Sequence, residues 1–136
     1  ESLIEVKNNL VISQDITKFN SVQLIEYCRE LYKSREKLDV QCFLTVDEYD
    51  KIRDSQNSEI IFNYCLLGLF FEQDKVLDKT VDFITRQGRM KFVIPLYKAL
   101  YNSKIGQKRA IETFNKHRDF YHPIASNLIT KALQLS

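Results

Sequence analysis

The sequence predicts an all-α protein, and three observations carry that prediction. Its 136 residues include only three glycines and two prolines, so chain breakers are few. Apolar residues recur three and four apart in one segment after another, the spacing of a helix face. Period-two alternation bounded by hairpin turns is missing.

The elements follow in order. A first helix is expected over residues 3–12. Asn20 or Ser21 caps the next, in which Val22, Leu24, Ile25, Cys28 and Leu31 fall at helical spacing. The polar stretch SREKLDVQ reads as a connection. Thr45 then precedes VDEYDKI, a short helix with Asp47 and Glu48 in its first turn, where carboxylates suit the dipole. Ser58 caps SEIIFNYCLLGLFF, which is apolar nearly all round and is expected to be the central buried helix. Gly68 within it costs about 1 kcal/mol against Ala and would admit the close approach of another helix. In DKVLDKTVDFITRQG the inner face is Val76, Leu77, Thr80, Phe83 and Ile84, and Gly88 stands where a left-handed residue would end the helix. The residue before a proline disfavours the helical region, so Pro95 predicts that the next helix starts near Ile94. Gly106 marks a boundary before QKRAIETFNKHRDF. In HPIASNLITKALQ, Pro123 sits in the first turn and the His122 imidazole is expected to cap backbone groups.

From residue 58 onward, helices of about 11–14 residues alternate with turns of about 2–6 residues. That rhythm predicts a right-handed superhelical stack of short antiparallel helix pairs, an ARM/HEAT-like α-α superhelix, with residues 1–136 forming one helical domain. No sequence motif repeats, so the expectation is architectural only.

Composition narrows the function. No run of about 18 apolar residues exists, so no membrane span is expected, and no signal-peptide pattern opens the chain. The chain begins at Glu1 rather than Met and reads as a piece of something longer. Cys28, Cys42 and Cys65 are widely spaced and odd in number, which points to inert thiols in a reducing, cytoplasmic setting. Net charge is +2 but unevenly placed. Residues 1–85 carry 10 Lys and Arg against 16 Asp and Glu, whereas residues 86–136 carry 10 against 2. The basic C-terminal half predicts an anionic partner or a complementary surface.

The catalytic inventory is thin. His117 and His122 are five apart, which on a helix separates them by about 140° and suits no shared metal. No HExxH, CxxC, P-loop or GxSxG motif occurs. The aromatics Phe62, Tyr64, Phe70, Phe71, Phe83, Phe92, Tyr97, Tyr101, Phe114, Phe120 and Tyr121 fall mostly at core spacing rather than interleaving with cations, so RNA binding is disfavoured.

What remains is RQGRMKF, residues 86–92, three cations around a glycine with no acid among them. Arg86 lies in a last helical turn, where a cation offsets the dipole. Arg89 and Lys91 are two apart. They would diverge on a helix, but in an extended segment they point the same way about 7 Å apart. An extended 89–92 segment, with Met90 and Phe92 packing behind, would aim a planar fork and a point charge at one carboxylate or phosphate. A solvated basic turn is the plainer alternative.

These residues also carry a family likeness. TRQGRMKFVIPLYKAL and ETFNKHRDFYHPIASNLITKAL resemble the C-terminal helical domain of leukotriene A4 hydrolase and aminopeptidase B-like zinc aminopeptidases, peptidase family M1. NSEIIFNYCLLG and FNSVQLIEYC resemble two earlier helices of that domain. The resemblance covers most of the chain and is weakest over residues 1–15 and 33–45. It implies the last domain of a three-part metallopeptidase, a hydrolase whose zinc ligands and catalytic centre lie in another domain. It implies that this domain forms one wall of the substrate cavity, and that Arg89 and Lys91 bind the free carboxylate of a peptide or lipid substrate. Implied partners are the parent's catalytic zinc domain and that substrate, not nucleic acid or membrane. Ile94 stands where the family's best-known members carry a base, which removes one cation from the wall; Arg86 falls where a less basic residue is expected. The competing reading is a stand-alone helical-repeat scaffold that binds another protein, and a nucleic-acid binder is a more distant one.

Overall fold

The computed structural model describes residues 19–134, and the helix expected over residues 3–12 lies outside them. Among the described residues there are eight α-helices, three short 3-10 turns and no strand, so the all-helical expectation holds. None of the described helices is long and apolar enough to cross a membrane. The chain divides into two compact units, Glu1–Leu67 and Gly68–Ser136.

In the first unit, α1 (Ser21–Lys33) begins with a complete capping box. The Asn20 side chain accepts from the Gln23 amide and the Gln23 side chain accepts from the Asn20 amide, both at 2.9 Å. Leu24, Tyr27, Cys28 and Leu31 form its buried stripe. The next helix corrects the sequence reading. SREKLDVQ is not a plain connection, because α2 (Val40–Asp47) starts inside it, capped by Asp39, whose carboxylate accepts from the Gln41 amide at 3.0 Å. Cys42, Phe43 and Val46 supply the buried face that draws these residues into a helix.

The expected VDEYDKI helix is therefore split. Asp47 ends α2, Glu48 follows it, and only α3 (Asp50–Arg53) remains beyond. Asp47 thus sits at the dipole's negative end, opposite to expectation. The Tyr64 hydroxyl donates to its carboxylate and Arg53 donates to its carbonyl at 3.1 Å. Tyr64 lies on α4 (Ser58–Phe70), whose cap is Asn57, one residue earlier than expected; its Oδ1 accepts from the Glu59 amide at 2.9 Å. As predicted, α4 is buried on several sides, with Tyr64, Cys65, Leu66 and Leu67 in unbroken succession. All three cysteines are buried and none is in a disulfide. Burial pushes Cys28 up to about 12, and burial followed by the nearby Asp39 charge pushes Cys42 up to about 11.

The second unit is organised around one helix. After a 3-10 turn at Asp74–Val76 come α5 (Leu77–Arg86), α6 (Met90–Asn102) and α7 (Gln107–His117). A further turn at Arg118–Phe120 leads to α8 (Pro123–Ala132). Helix α6 packs against α5, α7 and α8. Its buried residues, Phe92, Val93, Leu96, Tyr97 and Leu100, recur at helical spacing, and all are fully buried. The Tyr97 ring meets Phe114 of α7 edge-on at 5.7 Å.

The turn from α6 to α7 is held by Glu72, which adopts a left-handed conformation (φ 57°). Its carboxylate accepts from the Lys104 amide at 2.9 Å and the Ile105 amide at 3.2 Å. Gly106 is needed there for space: a Cβ would lie 2.7 Å from Ser103 Oγ and 2.8 Å from Leu100 Cδ2. At the last helix His122 Nδ1 accepts from the Ile124 amide at 3.1 Å, with Pro123 in the first turn, as the HP junction predicts. The core reading of the aromatics fails at two positions: Phe70 and Phe120 are 42% and 51% exposed.

Candidate functional site

The cationic stretch spans the end of α5 and the start of α6. Helix α5 closes with Arg86, whose guanidinium pairs with Asp82 one turn earlier. Gln87 then leaves the helix in an extended conformation (φ −106°, ψ 124°). Gly88 does not take the left-handed conformation expected of it, since no glycine among the described residues has positive φ. The Gln87 side chain bridges the turn instead, accepting from the Arg89 amide at 3.1 Å.

Arg89 is the N-cap of α6 and is extended (φ −76°, ψ 121°). Its carbonyl accepts from the Phe92 and Val93 amides, each at 3.0 Å, so the helix is already running at Met90. The extended 89–92 segment read from the sequence is thus confined to its first residue. Helix α6 begins four residues before Ile94 and carries Pro95 inside it. Pro95 has no N–H to offer the Lys91 carbonyl, a loss of up to about 3 kcal/mol in a helix interior. Burial of Phe92 and Val93 ahead of it, continued by Leu96 and Tyr97, outweighs that loss, because each fully buried side chain of this size contributes about 1.5–3 kcal/mol.

Even so, the two predicted side chains reach the same ring. The Arg89 guanidinium lies 5.2 Å from the centroid of the Phe92 ring, and the Lys91 ammonium lies 5.0 Å from it. Both charges therefore share one aromatic base and lie within about 10 Å of each other. Arg89 and Lys91 are exposed. Phe92 is fully buried beneath them, whereas Met90, expected to pack behind the pair, is 41% exposed. The first turn of α6 contains no acid, and its N-cap makes no side-chain capping bond. Two cations thus stand at the positive end of a 13-residue helix.

Sequence reasoning missed what braces this turn. The Phe92 ring meets Phe83 of α5 edge-on at 5.8 Å. The Tyr121 hydroxyl, just ahead of α8, donates to the Ile84 carbonyl of α5 at 2.7 Å. It also lies 2.8 Å from the Tyr97 hydroxyl of α6. Tyr121 has one proton and gives it to a carbonyl, so Tyr97 must be the donor of the second bond. Burial first, and this hydrogen bond second, hold the Tyr97 phenol well above its ordinary range. Burial also raises Tyr121, while the bond it receives works in the opposite direction. No local pattern announces partners 24 and 37 residues apart.

The remaining chemistry-bearing groups do not gather here. His117 Nδ1 lies 3.1 Å from the Thr113 carbonyl, and His122 is committed to capping α8. Among the described residues no three His, Cys, Asp or Glu side chains are grouped as a metal ion requires, so this part of the chain does not fit a resident zinc.

Fold and site together define an all-helical domain that presents a cationic helix start on an aromatic base. The family described as leukotriene A4 hydrolase, C-terminal, matches residues 19–133, and the chain belongs to it. Leucine aminopeptidase 2 of Neosartorya fischeri is 38% identical over 120 residues, 88% of this chain and 19% of that protein. Leukotriene A-4 hydrolase of Xenopus laevis is 34% identical over 124 residues, 91% of this chain and 20% of that protein. The solved structure of yeast leukotriene A4 hydrolase in complex with bestatin superposes with a TM-score of 0.77 at 29% identity, covering 92% of this chain and 21% of that one. The chain thus spans about a fifth of the length of the relatives it matches.

Proposed function

We propose that residues 1–136 form one helical domain of a zinc-dependent aminopeptidase, that this domain lines one wall of the substrate cavity, and that Arg89 and Lys91 bind the substrate's free carboxylate. The observation that carries the reading is the electrostatics of the start of α6. Cations at a helix N-terminus oppose the dipole, at about 0.3–1 kcal/mol each. Here two stand together with no acid in the first turn. An anion bound at this helix start would offset that cost. Arg89 supplies a planar fork that matches a carboxylate, Lys91 a mobile point charge, and the helix start adds its own positive potential.

The relatives support the wider setting, being named leucine aminopeptidase and leukotriene A-4 hydrolase. In this reading the substrate is a peptide held by its C-terminus, and a lipid carboxylate would engage the same two cations. The zinc and its ligands belong to the parent's catalytic domain, the chief partner of this one, because the described residues offer no donor set for the metal. Three buried cysteines outside any disulfide suit a cytoplasmic enzyme.

The test is Arg89→Ala in the full-length parent protein, assayed on a short peptide and on its C-terminal amide. Loss of a charge-assisted pair costs on the order of 2–4 kcal/mol, so kcat/KM on the free acid should fall about 100-fold, with a far smaller change on the amide. Equal losses on both substrates, or none on either, would overturn the assignment.

A further inference from the structure

Helix α5 has to stop at a defined residue if Arg89 and Lys91 are to be presented together, and nothing in the turn itself provides a strong stop. Gly88 is not left-handed, and a Cβ there would meet nothing within 4 Å. The last carbonyls of a helix lack intrahelical donors. The Gln87 amide serves Phe83 at 2.9 Å. The next carbonyl, Ile84, would take the amide of residue 88 if the helix continued; it takes the Tyr121 hydroxyl instead, at 2.7 Å. That hydroxyl occupies the donor position of one further helical residue, and the chain leaves the helix at Gln87.

Tyr121 is itself fixed from the other side of the turn. Tyr97, fully buried on α6, donates to it at 2.8 Å, and the two rings meet edge-on at 5.8 Å. One hydroxyl pair therefore links the end of α5 to the body of α6, the two elements that flank residues 87–89. Building on the carboxylate reading above, we propose that Tyr121, supported by Tyr97, is a positioning residue for the Arg89–Lys91 pair. Its hydroxyl sets where α5 ends and so where the two cations are delivered, without touching the substrate.

The test uses Tyr121→Phe, and Tyr97→Phe as a second variant, in the full-length parent protein. Phenylalanine keeps the rings and removes only the hydroxyls. Hydrogen–deuterium exchange over residues 85–93 reads the turn directly: Tyr121→Phe should speed exchange there at least about fivefold, and Tyr97→Phe should do so to a lesser degree, because local opening governs that rate. Unchanged exchange in both variants would overturn the positioning role, whatever the substrate. The second reading is KM on the free-acid peptide, which should rise about five- to tenfold in Tyr121→Phe, much more than on the amide, with Arg89→Ala measured alongside. If Arg89→Ala discriminates acid from amide and Tyr121→Phe does not, the positioning proposal fails and the carboxylate reading stands. If Arg89→Ala itself does not discriminate, the carboxylate reading fails and takes this role with it.

Discussion

Arg86 and the pair Arg89–Lys91 lie within six residues of one another and have opposite surroundings. Arg86 closes α5, where a cation favours the dipole, and an acid one turn back receives its guanidinium. Both partners are well exposed, at 76% and 59%, so the pair is a solvent-facing helix end of the ordinary kind. Arg89 and Lys91 open α6, where cations are disfavoured, and both approach the ring of one buried phenylalanine. The same residue types therefore carry different meanings on either side of Gly88. On one side charge agrees with local structure. On the other it conflicts, and a conflict kept beside a rigid buried ring is where a ligand is to be sought.

The largest way to break this contrast is Phe92→Ala. It removes a fully buried ring, its contact with Phe83 and the base under both cations. A loss of about 3–5 kcal/mol is expected from chemical denaturation; a loss below about 1 kcal/mol would show that the ring anchors nothing. Lys91→Glu is the sharper probe, because its two effects run in opposite directions. A carboxylate in the first turn of α6 should raise stability by about 0.3–1 kcal/mol, while KM for a free-acid peptide rises at least about tenfold. Thermal unfolding and kinetics on one preparation read both, and a variant that is neither steadier nor weaker in binding would remove the conflict on which the reading depends. Arg86→Ala should do least. An exposed pair contributes up to about 0.5 kcal/mol, and the preference for acid over amide should not move. A large fall in that preference would place Arg86 in the site and dissolve the contrast.

Local chemistry was legible in the sequence where one side chain decides the outcome. Asn20 at the start of α1 and His122 before Pro123 act as caps through bonds spanning two or three residues, and their identities announce them. The inner face of α5 was largely plain: Thr80, Phe83 and Ile84 are buried at helical spacing and Val76 is buried just ahead of the helix, whereas Leu77, also expected inside, is only half-buried. Misreadings arose where a local rule met tertiary burial. Pro95 argued for a start near Ile94, yet Phe92 and Val93 are buried ahead of it and carry the helix back to Met90. The polar look of SREKLDVQ hid an Asp39 cap whose helix is secured by Phe43 and Val46 further along. For the site, Arg89 and Lys91 stood out by charge, by their spacing and by the family likeness. The extended-segment argument placed Phe92 behind them correctly but missed that the helix already starts at Met90, and the Tyr97–Tyr121–Ile84 chain depends on residues brought together only by folding.

The central claim concerns what the start of α6 holds, and the most direct measurement is a crystal structure of the full-length parent protein with a peptide product bound. The account predicts the product's C-terminal carboxylate within about 3 Å of the Arg89 guanidinium, with Lys91 as its second cation. Density that places the carboxylate elsewhere, out of reach of Arg89 and Lys91, would contradict it.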